Sequence, residues 1–166
     1  MKIIFIIFLC IILYILCYYF FPSDISILQT TIEHFKFDLL SSRQPIVISD
    51  YLKNPEEIIN SWFKYNIINE DMNDNKVMND NKDTNDNDWK QNNSKYLFIN
   101  AIEDTEIIIY KAERTRENPP EDGKIIIIKL QKNQSIILPF KWKYYGNKIN
   151  KWKIDDYITF FVGPIF

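Results

Sequence analysis

The sequence predicts a mainly β domain of the α+β class, a β-sandwich with one or two helices, preceded by an N-terminal transmembrane helix. Three observations lead to this prediction. An uncharged apolar run extends from Ile3 to Phe21, and one amphipathic helical pattern begins near Pro55. After residue 94 the chain consists of short runs rich in Ile, Tyr and Phe that are bounded by Gly, Pro and Asn, which is typical of strands. Six or seven strands with one clear helix indicate a sandwich or barrel.

The apolar run Ile3–Phe21 predicts a membrane anchor that is not cleaved. Its nineteen residues would span about 28 Å as a helix, close to the hydrocarbon thickness of a bilayer. A cleaved signal peptide is the alternative, but it has a shorter apolar core and small residues at its cleavage site. Here residues 18–21 are bulky aromatics, which favour a membrane interface. Lys2 precedes the run and Asp24 follows it, so we expect a single-pass protein with a cytoplasmic N-terminus.

The chain divides into three predicted parts. Residues 1–21 are the anchor, residues 22–44 a connector, and residues 45–166 the mostly-β domain. Within that domain the segment 69–94 holds seven acids and three lysines among many Asn residues. Because so little of this segment can be buried, it predicts a disordered acidic insertion.

The best-specified helix begins at Pro55, which follows Asn54 as a candidate N-cap. Trp62 lies on its apolar face and is expected to share one core with Trp142. Residues 141–153 alternate lysines with aromatic residues and predict a hairpin with the aromatics inward and the lysines outward. Strands are predicted at residues 43–49, 95–100, 105–112, 124–130, 135–139, 141–146 and 151–161.

Charge and composition exclude several function classes. The net charge of −2 excludes a strongly basic nucleic-acid binder, and three Gly argue against a Gly-loop nucleotide site. Both cysteines, Cys10 and Cys17, lie in the apolar run, so the domain has no disulfide. His34 is the one histidine, which leaves little material for a metal site. We therefore expect no metal, no cofactor and no catalytic residue.

Candidate binding residues lie in two places. Two arginines beside a Pro-Pro loop could clamp a carboxylate or phosphate, or belong to a solvated loop. The lysines and tryptophans near the C-terminus could hold lipid headgroups, glycans or nucleic acid, or simply form the hairpin. The surface candidates are Arg114, Arg116, Lys141, Trp142, Lys143, Lys151 and Trp152. Asn92 and Asn133 begin the two N-glycosylation triplets.

Two segments together resemble the cupin-like relatives of JmjC oxygenases. Ser41–Phe63 (SSRQPIVISDYLKNPEEIINSWF) resembles their opening pattern, in which an Arg/Lys-x-Pro strand leads to a helix carrying a Trp. Asn133–Gly146 (NQSIILPFKWKYYG) resembles a late pattern, Gly-Asp, three hydrophobics, Pro-x-x-Trp-x-His. The resemblance implies a double-stranded β-helix with iron held by an H-x-D/E pair and a distal His. No such pair is present, and Tyr144 and Tyr145 stand where the late His would follow the Trp. The resemblance therefore implies a metal-free member.

The function expected from these features is non-catalytic. We expect a membrane-anchored structural or interaction protein whose partners are the bilayer, through residues 3–21, and a protein of unknown identity, with no nucleic acid. The combination of anchor, composition and domain also resembles membrane proteins of large AT-rich DNA viruses, which implies a virion or a host endomembrane. The alternatives are an iron and 2-oxoglutarate oxygenase of the cupin-like class and a β module that binds lipid or glycan.

Overall fold

The computed structural model describes residues 5–13, 25–70, 89–111 and 125–157. These ranges contain helices α1 (residues 5–13), α2 (Asp38–Ser41) and α3 (Pro55–Trp62). Their strands are β1 (Leu28–Thr30), β2 (Ile46–Ile48), β3 (Ile67–Glu70), β4 (Lys90–Gln91), β5 (Tyr96–Ala101), β6 (Thr105–Lys111), β7 (Ile126–Leu130), β8 (Ser135–Pro139), β9 (Trp142–Tyr145) and β10 (Ile149–Asp155). The prediction of a mainly β domain is confirmed.

The strands form two sheets, as a sandwich requires. The large sheet has six strands in the order β1-β2-β8-β5-β10-β3, and the small sheet has four in the order β4-β9-β6-β7. β1 pairs parallel to β2, and the other pairs are antiparallel. The Ile-rich runs supply these strands because branched side chains fit the pleated, buried surface of a sheet.

From β3 onward the strand pairs are nested. β3 pairs with β10, β4 with β9, β5 with β8, and β6 with β7. Successive pairs alternate between the large and the small sheet, so the chain forms one long ribbon that folds over itself. Within the large sheet β5 also pairs with β10, and within the small sheet β6 also pairs with β9, which joins neighbouring strand pairs side by side. β1 and β2 extend the large sheet beyond β8.

Apolar side chains cover both faces of the large sheet. One cluster fills the space between the sheets and includes Ile99, Ile109, Leu138 and Trp142. The other lies on the opposite face, where the helical side of the domain contributes to the cluster. Trp62 packs there, so the prediction that it shares one core with Trp142 is wrong. The uninterrupted apolar runs arise because these strands are buried on two faces.

Helix α3 confirms the sequence prediction for this segment. It begins at Pro55, and Asn54 donates its side-chain amide to Glu57 Oε1 at 3.1 Å without capping a backbone N–H. Trp62 stacks on Phe35 with ring centres 3.9 Å apart and an interplanar angle of 6°. This stacking packs α3 against the segment between β1 and α2.

Two segments outside the predicted strands contain ordered elements. The connector 22–44 contains β1 and α2, because its apolar residues pack on the helix-side face of the large sheet. The insertion 69–94 is ordered at both ends: its first residues belong to β3, and β4 and the buried Asn92 lie near its other end. The prediction of disorder is therefore wrong at these ends. Residues 71–88 lie outside the described residues.

The predicted anchor, residues 3–21, is described only at residues 5–13. These residues are helical and mostly exposed, Phe5 and Phe8 among them. The rest of the anchor lies outside the described residues. In the part of the chain that the structure describes, no helix has the length and apolar character needed to cross a membrane.

Candidate functional site

The structure separates the residues of the predicted binding surface. Arg114 and Arg116 lie outside the described residues. Trp142 and Lys143 lie on β9 in the small sheet, whereas Lys151 and Trp152 lie on β10 in the large sheet. The predicted hairpin is therefore wrong. The turn between these strands carries the chain from one sheet to the other, so β9 and β10 are not paired.

Both tryptophans are core residues. Trp142 is 1% exposed and lies between the sheets. Trp152 lies on the other face of the large sheet and meets Phe98 edge to face, with ring centres 6.1 Å apart and an interplanar angle of 74°. Neither indole therefore presents an open face on which a ligand could stack.

Lys151 is the main departure from the predicted pattern. It is 2% exposed, and its Nζ lies 5.8 Å from the centre of the Tyr144 ring. Alternation along β10 directs Ile149 and Lys151 toward the small sheet and Trp152 and Ile154 toward the helices. Because both faces of this strand are covered, alternation does not separate inside from outside. The predicted outward orientation of Lys151 is wrong.

The space between the sheets therefore contains a cation beside an aromatic ring. Lys90 on β4 is the cross-strand partner of Tyr144 and shares its face of the small sheet. The ammonium groups of Lys90 and Lys151 favour anions and aromatic faces and repel divalent cations. His34 lies elsewhere, in the turn after β1, where its exposed ring has Nδ1 2.8 Å from Thr31 Oγ1. Over the described ranges no cluster of three or more His, Cys, Asp or Glu could hold a metal ion.

The two remaining lysines of the prediction are half-buried. Lys141 occupies the turn before β9 with a left-handed φ of 65°, and its Nζ lies 5.6 Å from the centre of the Phe140 ring. Lys143 lies on the outer face of the small sheet, with its Nζ 5.6 Å from the centre of the Tyr110 ring. These lysines thus contact aromatic faces rather than extending freely into solvent.

Lys143 borders an aromatic cluster that the sequence analysis missed. Trp89 meets Tyr110 nearly perpendicularly, with ring centres 4.9 Å apart and an interplanar angle of 80°. Its ring centre also lies 6.2 Å from that of Tyr145. Tyr110 is 2% exposed, and Trp89 and Tyr145 are half-buried. We call Trp89, Tyr110 and Tyr145 the outer aromatic cluster.

Two polar atoms of the outer aromatic cluster are buried without a hydrogen-bond partner: Trp89 Nε1 and Tyr110 Oη. Such groups are uncommon in folded proteins, because an unmet donor loses its bonds to water and gains none in return. The strand alternation of β6 was the available sequence signal. Ile107 and Ile109 face the core. Because successive side chains of a strand point to opposite faces, Tyr110, which follows Ile109, must face outward.

Burial also shifts two ionisable groups. The pKa of Lys111 is lowered, first by burial and then by the positive charge of Arg43. The pKa of Asp155 is raised by burial, although Asp155 Oδ1 accepts a hydrogen bond of 2.7 Å from the Lys95 N–H, which opposes the shift. Lys111 lies opposite Trp142 at the start of β9, and its burial there disfavours the charged form of the side chain.

The two predicted glycosylation residues differ in environment. Asn92 is 2% exposed, and its Nδ2 donates to Leu138 O at 3.0 Å and to Pro139 O at 2.9 Å. Its Oδ1 accepts from the Ser94 N–H at 2.9 Å, so the side chain links the segment after β4 to the end of β8. Asn133 is half-buried in a turn with a left-handed φ of 67°. The Asn92 amide is therefore inaccessible in the folded domain.

Two arrangements bear on function: the Lys151–Tyr144 contact between the sheets, and the outer aromatic cluster with its two unmet polar atoms. Comparison with known proteins adds no relative, because no family model, no curated protein and no solved structure matches the chain. Function is therefore inferred from the geometry of these residues.

Proposed function

We propose that this chain is a non-catalytic interaction module, a double-stranded β-helix whose interior is filled by its own side chains and which residues 3–21 hold at a membrane. The observation that carries the proposal is the burial of Lys151 over Tyr144 between the two sheets. The order of the strands supports the fold, the chemistry of the interior supports the non-catalytic role, and the N-terminal run supports the attachment to a membrane.

The nested pairing of β3 to β10 supports the fold assignment. The eight strands pair from the outside in: the first with the last, the second with the seventh, and so on, across two sheets. This is the arrangement of a jelly roll, which cupins share. The resemblance of Ser41–Phe63 and Asn133–Gly146 to cupin-like proteins agrees with this arrangement. In the structure the first segment supplies β2 and α3, and the second supplies β8 and β9.

The interior chemistry supports a role without metal-dependent catalysis. The family pattern has a His two residues after the Trp, and here Tyr144 occupies that position after Trp142 on β9. The Lys151 ammonium lies on the face of the Tyr144 ring, and a cation there opposes the binding of a second, divalent cation. The single imidazole of the chain, at His34, lies in the exposed turn after β1. An interior of this kind suits a scaffold better than an iron centre.

The N-terminal run supports attachment to a membrane. The nineteen uncharged residues 3–21 match the thickness of a bilayer when helical. Residues 5–13 are helical, and apolar side chains such as Phe5 and Phe8 are exposed on them. The attachment is tested by alkaline extraction of membranes that contain the full chain or a variant without residues 3–21. The full chain should stay in the pellet and the shortened chain should be released; release of both would contradict the anchor.

Metal titration tests the absence of an oxygenase centre. The full chain, purified in detergent, is titrated calorimetrically with Mn²⁺ or Fe²⁺ in the presence and absence of 2-oxoglutarate. We expect no saturable binding and no turnover of 2-oxoglutarate. His34→Ala serves as the control, because weak binding that this substitution removes comes from the exposed imidazole and not from the interior. Stoichiometric binding together with turnover would overturn the proposal.

A further inference from the structure

We propose that the outer face of the small sheet holds a binding site for an oxyanion, a phosphate or carboxylate group, which Trp89 Nε1 and Tyr110 Oη bind by donating hydrogen bonds. The site lies on the face of the small sheet turned away from Lys151 and Tyr144. It therefore does not depend on what the interior of the sandwich holds.

The two unmet polar atoms define the chemistry of the ligand. Both are buried without a partner, and the rings that carry them are in contact, with centres 4.9 Å apart. An indole N–H can only donate, so Trp89 needs an acceptor, and the phenol of Tyr110 can donate as well. One group that satisfies both must accept two hydrogen bonds, as the oxygens of a phosphate or carboxylate do.

Charge at this end of the sheet favours an anion over a neutral acceptor. Lys143 lies beside the site, with its Nζ 5.6 Å from the centre of the Tyr110 ring, and Gln91 is its cross-strand partner. Among the described strand residues of this face, Glu106 is the one acid. It lies at the other end of β6 and pairs with Lys129 at 3.2 Å. Lys143 thus places a cationic side chain beside the cluster, and the one acid among the described strand residues of this face lies away from it.

The residues around the two donors range from buried to exposed. Tyr110 forms a buried floor, Trp89, Tyr145 and Lys143 are half-buried, and Gln91 on the rim is exposed. An anion that reaches the two buried donors would enter beside Trp89 and gain two hydrogen bonds and a nearby ammonium group. An ordered water is the competing occupant, because it could also accept from both donors.

Conservative substitutions isolate the two donors. Tyr110→Phe removes only the hydroxyl, and Trp89→Phe removes the N–H while keeping an aromatic ring. Tyr145→Phe is the matched control, because Tyr145 belongs to the same cluster but its hydroxyl is not one of the unmet polar atoms. The full chain and these variants are titrated in detergent with inorganic phosphate, glycerol phosphate and acetate, by calorimetry and by tryptophan fluorescence, and each Tm is measured without ligand.

We expect saturable binding of at least one of the three anions to the unmodified chain and to Tyr145→Phe. The affinity should fall at least tenfold in Tyr110→Phe and in Trp89→Phe. The Tm of Tyr110→Phe should stay unchanged or rise, because the substitution removes an unmet hydroxyl. Preference for glycerol phosphate over inorganic phosphate would identify a lipid headgroup as the source, the reverse order a free phosphate, and preference for acetate a carboxylate.

Two results would overturn the site. One is the absence of saturable binding for all three anions. A lowered Tm for Tyr110→Phe would then identify an ordered water as the occupant. The other is an affinity of Tyr110→Phe equal to that of the unmodified chain, which places any anion elsewhere. Metal titration of the interior is a separate measurement, so failure of this site and failure of the non-catalytic module are distinguishable.

Discussion

The Lys151 ammonium lies 5.8 Å from the centre of the Tyr144 ring, between the two sheets of the sandwich. The two residues belong to different sheets, Tyr144 to β9 and Lys151 to β10, so this contact links the layers of the domain. A buried ammonium is costly unless aromatic faces or other partners compensate its lost hydration. The contact therefore distinguishes this interior from both a purely apolar core and a metal centre.

Lys151 should contribute far more to stability than its neighbour Lys153. Lys151→Ala removes a buried cation–π contact and leaves a cavity, so we expect a loss of about 2–4 kcal/mol in the free energy of unfolding. Lys153 lies on the same strand but is exposed, and its replacement by Ala should change stability by less than about 0.5 kcal/mol. Chemical denaturation of both variants measures the difference. Equal and small effects would place Lys151 at the surface.

Trp142 should behave as a core residue. Truncation to Ala removes a fully buried indole between the sheets, and the expected loss is about 3–5 kcal/mol. Tyr65→Ala is the control, because this aromatic side chain is 85% exposed. Thermal unfolding of the two variants compares them. If Trp142→Ala unfolded at the same temperature as the unmodified chain, β9 would be a surface strand.

Asn92 should stabilise the domain through its hydrogen bonds to the end of β8. Asn92→Ala leaves the carbonyls of Leu138 and Pro139 without this donor and the Ser94 N–H without its acceptor. Because these groups are buried, we expect a loss of about 2–3 kcal/mol. Asn93→Ala, at an exposed neighbour, should be nearly neutral. An Asn92 variant as stable as the Asn93 variant would show that these hydrogen bonds are absent.

Asp155 should make stability depend on pH with a definite sign. Its pKa is raised in the folded state, mainly by burial, so the folded chain binds this proton more readily than the unfolded chain. The ionised form therefore costs stability at neutral pH, and the cost disappears as pH falls through the folded pKa toward about 4. Asp155→Asn keeps an acceptor for the Lys95 N–H but removes the charge. It should be more stable than the unmodified chain at pH 7, and the difference should shrink on acidification.

That pH comparison isolates one group because every other titration is common to both chains. Melting temperatures of the two chains at several pH values between 4 and 7 give the difference directly. A difference that grows as the pH falls would reverse the sign, and the burial of the ionised carboxylate would then be compensated by its hydrogen bonds.

The sequence predicts the long strands well because their runs of Ile, Tyr and Phe favour a strand over a helix or a loop. Residues 135–139 form a strand as predicted, the run at 95–100 is shifted by one residue relative to β5, and the run at 105–112 extends one residue beyond β6. β3 and β4 were missed because they are short and lie beside polar sequence. Lys90–Gln91 becomes a strand through its pairing with Lys143 and Tyr144, far away in the chain.

The site residues were harder to predict for the same physical reason. The burial of Lys151 depends on Tyr144 in the other sheet, and no local pattern records that contact. Trp89 stood in a segment whose composition indicated disorder, and Tyr110 stood in an apolar run whose two faces could not be told apart. Only the register of β4, β6 and β9 brings these side chains together.

Lys151 lies inside the sandwich, with its Nζ over the Tyr144 ring. Amine acetylation of the native full chain, followed residue by residue with mass spectrometry, tests this arrangement most directly. Lys151 should react at least tenfold more slowly than Lys153, since one is 2% exposed and the other lies on the surface of the same strand. Unfolding in denaturant should make the two rates equal. Equal rates in the native chain would contradict the buried contact and the filled interior that rests on it.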